Sequence, residues 1–124
     1  MIVKPARQHE ESAEAILKLL RCLGIDLNAL SDIEKKSLIS KASYLVSALR
    51  DCQVAKLNDA LHLVSAECRL PMVLALELLF DVAKLCRDSY PPVKSVLREV
   101  RVRYKLVDER CLLAIRRAMF LMEC

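Results

Sequence analysis

Residues 70–86 read LPMVLALELLFDVAKLC, with ten large apolar side chains in seventeen positions: Leu70, Met72, Val73, Leu74, Leu76, Leu78, Leu79, Phe80, Val82 and Leu85. The stretch is too long for a strand and too rich in leucine and alanine, so its period is that of a helix. At about 100° per residue, its only charges, Glu77, Asp81 and Lys84, continued by Asp88, fall in a band roughly 60° wide. A helix apolar around the rest of its circumference needs neighbours on nearly every side. It is therefore expected at the centre of the fold. Fully burying ten such side chains would contribute on the order of 15–30 kcal/mol gross, before the entropy of ordering the chain is subtracted.

The surrounding chain reads the same way. Its 124 residues suit one domain over residues 1–124, large enough for a core of its own, and Gly24 is the only glycine. A leucine-rich, glycine-poor composition without tryptophan predicts an all-α fold. The expected architecture is a compact array of five or six mainly antiparallel helices around the hydrophobic one. No uncharged run approaches the ~20 residues that a bilayer requires, and the N-terminus has no continuous apolar signal segment. An intracellular protein, cytoplasmic or nuclear, is expected.

Helix ends can be placed outward from the centre. Pro71 opens the central helix, and Ser89-Tyr90-Pro91-Pro92 closes it. Ser31 with Glu34 forms a capping box for a helix buried along Leu38, Ala42, Leu45 and Leu49 and reaching about Arg50. A further helix over about Val54 to Glu67 uses Val54, Leu57, Leu61 and Val64. The rotation of the apolar stripe puts a break near Asp51 to Gln53. The first helix, about His9 to Leu23, presents Ala13, Ile16, Leu17, Leu20 and Leu23. Glu10, Glu11 and Glu14 suit its positive end, and Gly24 supplies a left-handed stop with Ile25 packing back on Leu20. After the double proline, Val93, Val96, Leu97, Val100, Tyr104 and Val107 hold one helical face. Asp108 either caps a last helix through Cys124 or lies within a continuous one.

The six cysteines, Cys22, Cys52, Cys68, Cys86, Cys111 and Cys124, are spread almost evenly without a close pair. That spacing matches no disulfide framework and offers no CxxC for zinc, so reduced, packed thiols are expected. No cofactor or metal site is indicated, because a single glycine leaves no phosphate-cradling loop. His62 follows Asp59 by three residues, but no serine or cysteine sits in a nucleophile motif, and a hydrogen-bonded structural histidine is the better reading. A non-enzymatic protein is expected, with no catalytic residues.

Charge carries the functional signal. Residues 1–86 hold eleven basic and eleven acidic side chains, whereas residues 87–124 hold nine and five, so the net +4 lies in the last third. On the fifth helix Lys94, Arg98, Arg101 and Lys105 recur at spacings of four, three and four, which places them within about 60° of one another. This one-sided ridge predicts partner binding, as an adaptor or scaffold domain that meets an acidic protein partner. The alternative is a nucleic-acid-associated helical domain in which the ridge tracks phosphates, although stacking aromatics are scarce beside it. The plainer possibility is a solvated helix face. The last apolar residues, Ala118 to Met122, fit either the domain's own core or an adaptable contact surface.

Overall fold

The computed structural model describes residues 5–49, 54–89, 93–106 and 108–122. Among them the chain is all helical: α1 (Pro5–Cys22), a 3₁₀ turn (Leu27–Ala29), α2 (Asp32–Ala48), α3 (Val54–Cys68), α4 (Met72–Ser89), α5 (Val93–Tyr104) and α6 (Glu109–Leu121). The all-α array of helices is as expected, with six of them.

Local chemistry accounts for the ends. Proline suits the first position of α1, where its missing amide proton costs nothing. Gly24 at φ 78° closes that helix, with the Ile25 amide donating to the Leu20 carbonyl at 3.1 Å and the Gly24 amide to that of Arg21 at 3.0 Å. Leu20 and Ile25 are both buried beneath this turn. At α2 the Glu34 amide donates to Ser31 Oγ at 3.2 Å, while the Ser31 amide donates to Glu34 Oε1 at 3.3 Å. Pro71 precedes α4 and accepts the first bond of that helix from the Ala75 amide.

Other boundaries shift. Among the described side chains of α1, Ile16, Leu19 and Leu20 are buried, with Leu23 just past the helix, so Leu19 belongs to the core and half-buried Leu17 lies beside it. The expected fifth helix through Val107 stops at Tyr104, because Lys105 turns left-handed at φ 54° and the Leu106 amide donates back to the Arg101 carbonyl at 2.9 Å. The last helix is separate from it, with Asp108 accepting from the Arg110 amide at 2.9 Å, and it ends at Leu121 rather than Cys124. The break at Asp51 to Gln53, the Tyr90-Pro91-Pro92 stop, Val107, and the side chains of Glu10, Glu11, Ala13 and Asp88 lie outside the described residues.

The centre is shared rather than held by one helix. α4 packs on α2, α3, α5 and α6, while α3 packs on α1, α2, α4 and, most extensively, α6. Of the ten large apolar side chains of residues 70–86, Leu76, Leu78, Leu79 and Val82 are buried, joined by Ala75, Ala83 and Cys86. Leu74 is 40 % exposed. Leu70, Met72, Val73, Phe80 and Leu85 are half-buried, so the helix contributes less than full burial of all ten would give. Its polar band is where expected, but neighbouring helices use it. Lys41 Nζ of α2 lies 3.4 Å from Glu77 Oε1, and Asp81 accepts from the Tyr104 hydroxyl of α5.

The expectation of six separate thiols is corrected. Cys68 at the end of α3 and Cys111 in the first turn of α6 are joined by a disulfide, with an S–S distance of 2.04 Å. Cys86 is likewise disulfide-bonded, whereas Cys22 is a free, exposed thiol. Cys52 and Cys124 lie outside the described residues. The physical reason is helix pairing: α6 starts where α3 ends and runs back along it, so the two are antiparallel, and their backbones approach to a Cα–Cα distance of 4.4 Å at the link. A bridge between Leu49 and Met122 ties the end of α2 to the end of α6.

Candidate partner-binding surface

α5 packs through Val96 and Val100, both buried, with Leu97 and Tyr104 half-buried beside them. That choice of inner face leaves Lys94, Arg98, Arg101 and Lys105 exposed. None of the four makes an ion pair among the described residues. The first three share a face because helical geometry places them there. Lys105 lies one residue past the helix, in the left-handed turn, so the backbone reversal sets its direction instead.

The other basic residue of this helix behaves differently. Arg103 lies 3.0 Å from Glu99 Oε1 and 3.6 Å from Asp81 Oδ2. Tyr104 donates its hydroxyl to the same Asp81. Burial, reinforced by the Asp81 carboxylate, raises the Tyr104 phenol well above its ordinary range, so it remains a neutral donor. Glu99 and Asp81 are thus both engaged by Arg103. Between ridge and ion pair, a shallow open depression lined by Ser95, Arg98, Glu99, Val102 and Arg103 exposes Val102 to 73 %.

A second cationic cluster was not foreseen from the sequence. Tyr44 of α2 and Phe80 of α4 meet edge to face with ring centroids 5.2 Å apart. Lys41 Nζ and Lys84 Nζ sit 5.7 and 5.9 Å from the Phe80 centroid, and the Arg87 guanidinium 5.4 Å from that of Tyr44. Such contacts favour cations held over rings, but Lys41 also lies beside Glu77 of α4, and the cluster serves to fasten α2 to α4. Its α2 and α4 halves, Lys41 with Tyr44 and Phe80 with Lys84 and Arg87, are about forty residues apart, beyond any local period.

His62 is exposed on α3, and the structure gives it no hydrogen bond among the described residues. The expected hydrogen-bonded structural role is therefore not what α3 shows. Asp59 is exposed on the same helix. Among the described residues no three His, Cys, Asp or Glu side chains converge as metal ligands, and no helix is long and apolar enough to cross a membrane. Comparison with known protein families, with characterised proteins and with solved structures gives no match.

Proposed function

We propose that the protein is a non-enzymatic interaction domain, an adaptor or scaffold, whose α5 ridge receives an acidic segment of a protein partner. The contrast within one short helix carries the reading. Arg103 is neutralised by Glu99 and Asp81, while Lys94, Arg98, Arg101 and Lys105 stand exposed without an acid. Cations arranged on one side, next to exposed Val102, supply both charge and an apolar contact, and complementary charge mainly sets partner choice and encounter rate.

Reversing Arg98 and Arg101 together to glutamate tests it. The melting temperature should barely move, since exposed charges are each worth about 0–1 kcal/mol. Binding to acidic proteins captured from cell extract by the parent should be lost, and crosslinks from those partners should map to α5. Binding of mixed-sequence DNA or RNA that weakens steeply with salt, and that the reversal abolishes, would replace the protein partner with nucleic acid. Unchanged binding by the double variant would leave the ridge a solvated face.

A further inference from the structure

α6 turns Ala114, Ile115, Ala118 and Met119 into the core, yet leaves Leu113 50 % and Phe120 66 % exposed. These two lie two turns apart and within about 20° around the helix, so they form one outward apolar stripe. Arg110, Arg116 and Arg117, all exposed, flank it. On the α3 side the stripe opens into a groove of about 230 Å³, with Leu63 opposite Leu113 and with Arg110 and Arg117 along one wall; Glu67 is its one acid.

We infer that this face docks an acidic amphipathic helix from another protein. Apolar side chains two turns apart match the i, i+3, i+7 anchors by which a helix lies in a groove. The arginines fix the sign of the partner, because an amphipathic helix with glutamate or aspartate beside its apolar stripe would place those acids against Arg110, Arg116 and Arg117.

Charge also argues against a second copy in that place. Antiparallel pairing of two α6 helices would set Leu113 on the copy's Phe120, but with it Arg116 on the copy's Arg117. Parallel pairing would set Arg116 on Arg116. Either arrangement crowds four arginines around the apolar contact, and like charges directly opposed are destabilising. A flat anionic bilayer fits less well than a helix, since it would leave the groove unfilled. The surface is built from α6 and α3 alone, so it stands apart from the α5 ridge.

The test uses the full chain and a fluorescein-labelled helical peptide with leucines at i, i+3 and i+7 flanked by glutamates, followed by fluorescence anisotropy. The peptide should bind saturably, and its glutamine counterpart and a scramble of the same composition should bind far more weakly. Phe120→Ala and Leu113→Gln should each lower affinity about tenfold, as loss of a central apolar anchor does. Arg116→Glu with Arg117→Glu should abolish binding, while reversal of Arg98 and Arg101 should leave it within about twofold. Both apolar positions are exposed, so circular dichroism should show each variant folded. Equal binding by wild type and both apolar variants, or by peptide and scramble, would overturn the inference. So would a concentration-dependent dimer that Phe120→Ala dissolves, which would assign the face to a second copy. Flotation with phosphatidylserine vesicles that Phe120→Ala abolishes, without peptide binding, would assign it to a membrane.

Discussion

Arg69 and Lys105 both hold a left-handed backbone, at φ 55° and φ 54°, in positions where a helix stop usually carries glycine. Each pays for the clash of its Cβ with the following carbonyl, and each is retained because the turn satisfies otherwise orphaned carbonyls: the Leu70 amide donates to Ser65 at 3.0 Å and that of Leu106 to Arg101 at 2.9 Å. Arg69→Gly and Lys105→Gly should therefore each raise stability, by up to about 1 kcal/mol, despite the greater freedom that glycine gives the unfolded chain. Urea melts check the sign. A loss at either position would mean that the arginine or lysine side chain supports the turn. Lys105→Gly would also remove one cation of the ridge, so stability and partner binding should move in opposite directions for that one substitution.

At the scale of elements, α4 and its neighbours give the sharpest expectation. Leu78 and Leu79 are fully buried, so truncating either to alanine should cost about 2–5 kcal/mol, with a cavity left in the core. Glu77→Ala, on the polar band, should cost far less, since it removes only a partly exposed pair with Lys41. Equal losses in denaturant melts would contradict the packing of α4. Leu74→Ala, at a position 40 % exposed, should resemble Glu77→Ala rather than Leu78→Ala, which separates position in the structure from residue type. For α5 the ordering is reversed: the double charge reversal at Arg98 and Arg101 should spare stability, whereas Val100→Ala, fully buried, should not.

For the molecule as a whole, the Cys68–Cys111 link joins positions 43 residues apart and so closes a loop containing α4 and α5. Constraining a loop of that size restricts the unfolded chain by about 4 kcal/mol on the chain-entropy account, so reduction should lower the urea midpoint markedly. Cys68→Ser with Cys111→Ala should reproduce only the part of that loss due to this link, since reduction also opens the disulfide of Cys86. Alkylation of the unreduced, denatured protein followed by peptide mass analysis should find Cys68 and Cys111 unlabelled and Cys22 labelled. Labelling of all three would show the link to be absent.

What the sequence by itself determined is what depends on neighbours a few residues away. The helical class, the Ser31–Glu34 box, the Gly24 stop, the Pro71 start and the shared face of Lys94, Arg98 and Arg101 all follow from a period of 3.6 and from backbone groups satisfied within one turn. The two left-handed ends without glycine leave no local signal, because arginine and lysine do not mark a stop, so the apolar period of α5 runs on in sequence past Tyr104, where the helix ends. Tertiary structure alone decided the rest. Which side of a helix faces the core depends on distant partners when apolar residues occur nearly all round, as in α6, where Leu112, Leu113, Ile115, Met119, Phe120 and Leu121 leave the inner face undetermined until α6 meets α3. The same packing brought Cys68 to Cys111, divided the centre between α3 and α4, and set Tyr44 against Phe80. Each is a contact between residues whose separation in sequence exceeds any local period, and its free energy exists only once the helices have met.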